Sequence, residues 1–506
     1  MVVRNMLDRM RLGSGRAMKR KFAQCSGFRE LARTPRNSLL VWGLRLVDHR
    51  PIICMLSLSL PKRSPGGRGP GAISEKSIMS DRARRFRSLA LRSVGAICLV
   101  GFLFPQQSQA SNRTVGSGRT YSTVRAAVSA AAPGDSILIY SGTYALDHFT
   151  SAKPLYFLGV GPTKPVMDGQ FDQTNGIDNG KGIWTFTNGS GGTTVDNIEF
   201  KNAANPTANG CGVRIDGGTP GSFTIQNSYF HDCQMEILAA PQTLLISRCE
   251  LYHSIHTEVG CEAAPTCYEH CIYVNTSYTQ SFTIQYSYVH QADTGNEVKS
   301  RAQNTYILYN RLADEDAIPS YTIDIPDGGR SYIIGNIVEQ GPNSSNSNII
   351  SYAAESAGNG ILDLYVVNNT VVNDKSTGTF INVRAGTTAK VVNNIFAGPG
   401  NLMSGGIFTT LTNLQTNSAG FASPGPPNYD YHLTASTPST IVGAGTAAGT
   451  SVTGYLLTPA YQYVYDEQYT PRSVLGALDL GAFEYKAGTG GQDVISPSAV
   501  QDLRNR

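Results

Sequence analysis

The chain has 506 residues, with 41 Lys and Arg against 37 Asp and Glu, a formal charge of +4. That sum hides two unlike parts. Residues 1–110 hold 21 of the basic side chains and five acids (Asp8, Glu30, Asp48, Glu75, Asp81), so residues 111–506 carry 20 basic and 32 acidic groups, a formal −12. A surface of that sign excludes general nucleic-acid binding, which rests on neutralising phosphates; any anionic partner has to be held by local positive charge.

Residues 1–78 show no sustained apolar period and are rich in Arg, Pro and Gly, so no fold is expected of them. They read as an unstructured extension, or as translation from a start assigned too far upstream, with Met79 the initiator. From Met79, Arg82, Arg84, Arg85, Arg87 and Arg92 precede the apolar run "VGAICLVGFLF" and the small-residue ending Ser108-Gln109-Ala110. This is the pattern of a signal peptide over 79–110, its apolar run too short to span a bilayer. A secreted or periplasmic protein is expected, with no transmembrane segment once the signal is removed.

Next, "YSTVRAAVSAAAPGDSILIYSGTY" predicts a short amphipathic helix (Val124, Val128, Ala131) that breaks at Pro133-Gly134-Asp135 and gives way to a strand. After it one phrase recurs: "TVDNIEF", "FTIQNSYF", "LLISRCEL", "FTIQYSYV", "TYILYNRL", "SYIIGNIV", "LYVVNNTV" and "AKVVNNIF". Each is a strand meeting a polar corner, at Asn197, Asn227, Arg248, Tyr286, Asn310, Asn336, Asn369 and Asn394. A constant phrase at variable spacing predicts an all-β, single-stranded parallel β-helix, in which similar strands stack while insertions bulge at corners. Asn suits the corner because it tolerates the left-handed conformation and because stacked Asn side chains hydrogen-bond as a ladder. The helix is expected to cover the open edge of the first coil.

Six cysteines fall in one window: Cys211, Cys233, Cys249, Cys261, Cys267 and Cys271. An even, clustered set behind an export signal reads as disulfides of unassigned pairing; zinc is the alternative, without a Cys-x-x-Cys pair to support it. His231, His253 and His290 hold similar places after the corners and are expected to stack.

On "PGDSILIYSGTY", "YHLTASTPSTIVGAG" and "LDLGAFEY" the chain resembles the secreted right-handed parallel β-helix, or pectate-lyase-like, superfamily, from roughly Thr114 to Tyr485. The expected layout is a β-helix domain over 111–485 with a short N-terminal capping helix, then a linker or tail over 486–506. The resemblance implies that an outward strip of side chains binds a polysaccharide.

Strand alternation identifies that strip. Arg214 and Asp216, Tyr273 and Asn275, Glu297, Lys299 and Arg301, Asp324, and Asn382 and Arg384 are expected to face outward. Coils stack at ~4.8 Å, which puts Tyr273 one coil before Lys299 and Asp324 one coil after.

Such a strip suits β-elimination on a uronate, in which a cation neutralises the carboxylate, a base removes the C5 proton and an acid protonates the leaving oxygen. The candidates are Arg301, Lys299 and Tyr273 in that order, with Arg214, Glu297, Asp324, Arg384 and His270 as substrate-binding residues. Arg301 would help depress the Lys299 pKa, while Glu297 and Asp324 would oppose it. "EVKS" followed by Asn304 resembles the Lys-bearing segment of alginate and chondroitin lyases of this fold, but Asp324 stands where those enzymes carry an Arg. The Gly-His-Gly of hydrolases and the Asp-Pro-His of epimerases, which the resemblance would lead one to seek, are absent. Asp314, Asp316 and Asp327 are candidate Ca²⁺ ligands. The alternative to a lyase is a non-catalytic cell-surface or matrix protein that binds glycans through the same strip; oligomeric state is left open.

Overall fold

The computed structural model describes residues 110–486 except 173, 179, 207, 208, 256–268, 418 and 475, together with the backbone of three strands, Phe28–Arg33, Ser38–Val47 and Arg50–Ser59. The chain divides into two units, Met1–Gln106 and Gln107–Arg506. In the first, the three strands pair antiparallel in chain order. The sequence reading gave this stretch no fold; two apolar runs of ten residues flanking Asp48-His49 are the hairpin signal it passed over. The expected signal peptide, 79–110, lies outside the described residues but for Ala110, and the tail, 486–506, but for Lys486.

The second unit is a right-handed parallel β-helix. Each coil contributes strands to three parallel faces. The first face runs from Asn112–Val115 through Ser136–Tyr140 to Ile407–Leu411. The second runs from Phe149–Ser151 through Gly182–Phe186 to Asn401–Ser404. The third runs from Thr143–Ala145 to Leu414–Thr416 in eleven strands. Cys211–Gln226 and Met235–Ser247 are long enough to pass through both of the first two faces, joining them into one sheet of twenty strands.

The capping helix is Val124–Ala130. Thr123 accepts a hydrogen bond from Ala126 N and so supplies its N-cap, the Asp147 carboxylate takes Arg125 N (3.0 Å), and Lys153 Nζ donates to the C-terminal carbonyls of Val128 (2.9 Å) and Ala131 (2.7 Å). Val124, Ala127 and Val128 are buried against the first coil. Below them the interior fills with stacked apolar side chains, with Phe157 4.7 Å from Trp184 and Phe200 4.9 Å from Phe230 between ring centroids.

The repeated corner divides its two tasks between neighbouring residues. Asn197, Asn227, Arg248, Tyr286, Tyr309, Gly335, Asn368, Asn393 and Thr412 adopt the left-handed conformation. The residue after each points inward, and from Asn310 onward it is Asn: Asn310 Nδ2 donates to Asn336 Oδ1 (3.1 Å), Asn336 to Asn369 (3.0 Å), Asn369 to Asn394 (3.0 Å) and Asn394 to Asn413 (2.8 Å). The expected corners at Asn310, Asn336, Asn369 and Asn394 are therefore one residue past the turn, and are the ladder itself. Earlier coils use Ser228 and Ser287 hydroxyls at the same position, accepting from Ile198 N and Cys249 N.

The expected disulfides do not form among the described cysteines. Cys211, Cys233, Cys249 and Cys271 are buried free thiols, because each fills an apolar position of its coil instead of facing a partner. Cys249 occupies the ladder position, and Cys271 Sγ donates to Glu297 Oε2 (3.3 Å). Burial pushes the Cys211 and Cys249 thiols up to about 12. Cys261 and Cys267 lie outside the described residues. Of the expected His stack, His231 and His290 sandwich Tyr252 at 5.1 Å on each side, while His253 sits at a left-handed corner and pairs with Asp232 (2.6 Å).

The last segment folds back along the outside. Tyr306, Tyr332 and Tyr365 stack on the first face at 4.7 and 5.1 Å, and Tyr455 packs over the first two. Tyr286 and Tyr309 likewise meet Tyr469 (4.0 Å) and Tyr461 (5.7 Å). Val452 N and Ala460 N donate to the hydroxyls of Tyr365 and Tyr309. A buried Arg472–Glu484 pair (2.6 Å) holds the segment's end.

Candidate functional site

The second face carries the strip. Its register pairs Arg214 with Leu238, Leu238 with Tyr273, Tyr273 with Lys299, Lys299 with Asp324, Asp324 with Ser351 and Ser351 with Asn382. The expected order Tyr273, Lys299, Asp324 on successive coils holds. Lys299 lies between inward Val298 and Ser300 in a strand of three residues, so alternation turns it outward.

These residues form one charged group. Lys299 Nζ lies 3.3 Å from Asp324 Oδ2 and 3.3 Å from Glu355 Oε1. Arg301 donates from Nε to the Tyr273 hydroxyl (2.9 Å), from one terminal nitrogen to Asp327 Oδ1 (2.8 Å) and from the other to Glu355 Oε2 (2.5 Å). Both cations also lie near the Tyr273 ring, Lys299 Nζ at 5.5 Å from its centroid. His270 meets that ring edge-on at 5.1 Å and accepts from Asn296 N at Nδ1 (2.9 Å). Burial, then the charges of Lys299 and Arg301, hold the His270 pKa well below the ordinary value, so the imidazole is neutral and Nε2 carries its proton.

Opposing influences act on the titration of Lys299 and Asp324. Burial pulls the Lys299 ammonium down, but Asp324, expected to oppose such a shift, and Glu355, which was not foreseen, outweigh it and leave its pKa raised; Glu297, the other expected opponent, is not among the carboxylates in contact with it. Burial pushes Asp324 up to about 6 against the pull of Lys299. Two carboxylates in contact with the ammonium decide the first result; the closure of Asp324 beneath that ammonium decides the second.

Other expected residues separate from this group. Glu297 is fully buried, not outward: it precedes its strand and turns in to accept from Ala292 N (2.9 Å) and Cys271 Sγ. It has no surface with which to touch a ligand. Arg214 lies on the strip two coils before Tyr273, held by Asp216 (3.4 Å), which Lys181 also contacts (2.7 Å). Arg384 is exposed just past the end of Thr379–Val383. The three proposed Ca²⁺ ligands do not converge: Asp314 is buried and bound by Thr322 Oγ1 and Gly341 N, Asp316 is exposed, and Asp327 holds Arg301. Among the described residues no three acidic, His or Cys side chains are placed to hold a metal ion.

Sequence reasoning missed Glu355 and its neighbours Ser356 and Asn359. They sit in a loop after Asn348–Tyr352, where alternation has no purchase.

No protein-family model matches the chain, and no curated protein matches it. Among solved structures, the crystal structure of pectate lyase Pel9A aligns with a TM-score of 0.42 and 14% identity, covering 75% of this chain and 97% of that one.

Proposed function

We propose that the second face binds an acidic, uronate-containing polysaccharide and that the protein cleaves it by β-elimination. The observation that carries this reading is the junction of Lys299, Arg301 and Tyr273 within hydrogen-bonding or ring contact on one outward strip. Arg301 takes the uronate carboxylate and stabilises the charge that develops when C5 loses its proton. Lys299, as the neutral amine, accepts that proton; the electron pair forms the C4–C5 double bond and the C4–O bond breaks. Tyr273 delivers a proton to the departing oxygen. Arg301 Nε occupies a lone pair of the phenol, which leaves the phenol's own hydrogen to be given away.

The raised Lys299 pKa makes the neutral amine scarce at neutral pH, so this chemistry belongs to alkaline conditions. A sugar lying over the amine adds burial, the influence that already acts downward on it. Arg214 and Arg384 extend the strip as further carboxylate contacts, and His270 supports Tyr273. The protein is read as secreted or periplasmic, with 79–110 as its signal.

A second reading is favoured by the same ion pairs. Lys299 and Arg301 are satisfied by the protein's own carboxylates, which suits a non-catalytic glycan-binding surface. Ultraviolet absorbance of unsaturated products, followed over a panel of uronate polymers between neutral and alkaline pH, separates the two: binding without absorbance on every polymer rules out the lyase.

A further inference from the structure

Residues 353–361 form a strap over the cationic pair. The strap leaves its strand at Ala353, in the left-handed region (φ 56°). It is fastened by groups other than the Glu355 carboxylate. Glu355 N donates to Pro326 O (3.2 Å), Ser356 Oγ to Asp327 Oδ1 (2.7 Å), and Asn359 Nδ2 to the carbonyls of Ala302 (3.0 Å) and Gly328 (3.0 Å). With the strap so held, the carboxylate reaches back and bridges Lys299 and Arg301, one oxygen to each.

Three carboxylates thus share two cations, and they are not equivalent. The Asp324 side chain is 4% exposed and that of Asp327 18%, whereas Glu355 is 49% exposed. An ion pair that open contributes only ~0–1 kcal/mol to folding, and the strap's own bonds do not pass through it. A substrate carboxylate arriving while Glu355 is in place would be a fourth negative charge on two cations. It has to replace Glu355, not join it.

We propose that Lys299 and Arg301 form a seat for a sugar carboxylate, and that Glu355 fills this seat in the free protein and swings out when a uronate takes its place; the proposal rests on the acidic-polysaccharide reading above. Glu355 is then a specificity-determining residue. A neutral glycan brings nothing to exchange and meets a seat already filled, while a uronate restores both ion pairs as Glu355 returns to water. This is the bound state with Lys299 protonated; in elimination the ammonium first loses its proton and the carboxylate stays with Arg301. Burial works against the Glu355 charge, but Arg301 and Lys299 outweigh it and hold its pKa below the ordinary carboxylate value, so mild acid does not empty the seat.

Affinity electrophoresis tests this with wild type, Glu355→Gln and Glu355→Ala in gels containing polygalacturonate, alginate or hyaluronan, with dextran as the neutral control. Runs at about pH 6 keep Lys299 charged and elimination slow. Both variants are expected to bind a uronate polymer about fivefold more tightly than wild type, with no change on dextran and no change in melting temperature. Arg301→Gln added to Glu355→Gln should cancel the gain. Retention of wild type with no tighter binding by either variant overturns the seat and leaves the polysaccharide reading standing. No retention of any of the three proteins on any uronate polymer overturns both.

Discussion

Lys299 and Asp324 stand opposite one another on consecutive coils, ammonium nitrogen to carboxylate oxygen at 3.3 Å, and each has its pKa raised. For the lysine, attraction to two carboxylates outweighs burial; for the aspartate, burial outweighs attraction to the lysine. The pair is charged at neutral pH, but it is charged at a cost that falls on Asp324.

That cost has a pH signature. A carboxyl group whose folded pKa lies above its ordinary 3.8, here at about 6, adds stability below the lower value and loses it as pH rises through the upper one. The melting temperature of Asp324→Asn, less that of wild type, should therefore climb across this window and level off above it. A flat or falling difference would show that Asp324 is not the group paying for burial.

Lys299→Ala should lose elimination by ~100-fold or more and also lower the melting temperature at neutral pH, because it leaves the nearly buried Asp324 carboxylate without its ammonium. Lys299→Arg is the sharper variant, since guanidinium keeps the ion pairs but does not deprotonate. It should be as inactive as the alanine form, and wild-type activity should rise toward alkaline pH, as required of a base with a raised pKa. Full activity in Lys299→Arg removes Lys299 as the base. Arg301→Lys should retain part of the activity if charge alone serves the uronate, and little if a two-pronged contact is needed.

The buried ladder gives a stability prediction independent of function. Asn336 accepts from Asn310 N and Nδ2 and donates to Ile307 O and Asn369 Oδ1, so Asn336→Ala strands several buried groups. A loss of about 3 kcal/mol is expected in denaturant unfolding. Asn413→Ala, at the half-buried end of the same ladder, should cost clearly less. Equal losses would mean the ladder is not what holds the corners.

Thiol chemistry checks the cysteines. Denatured, unreduced protein should react with a chromogenic thiol reagent at Cys211, Cys233, Cys249 and Cys271, while native protein should leave those four unmodified because they are buried and kept protonated. Peptide mapping that finds any of them in a disulfide contradicts the fold's interior.

What the sequence made legible follows from period. Alternation of two fixed Tyr273, Lys299 and Asp324 on one strip, and the repeated phrase disclosed the coil, because both are properties of strands. The corners slipped by a residue in the later coils for two reasons. At Asn368-Asn369 and Asn393-Asn394 adjacent Asn residues serve the turn and the ladder and look alike in a sequence, while before Asn310 and Asn336 the turn is made by Tyr309 and Gly335, so the Asn that drew the eye was the ladder residue. Glu297 was misplaced because alternation was carried one residue beyond the strand Val298–Ser300. Glu355 was invisible: a loop brings it to Lys299 across 56 residues, with no period to announce it. Cysteine counting misled for Cys211, Cys233, Cys249 and Cys271 because small apolar thiols suit a coil interior as well as they suit a bridge.

The returning C-terminal segment also bears on how the chain is made. A ribosome delivers the coils in order, and each can settle on the one before it. The tyrosine wall of Tyr286, Tyr309, Tyr332 and Tyr365, however, faces water until residues 452–469 emerge to cover it. A chain cut short before that point would be a nearly finished stack with an adhesive aromatic side. Solubility of the stack thus depends on a stretch of chain that lies more than eighty residues beyond the last of those tyrosines.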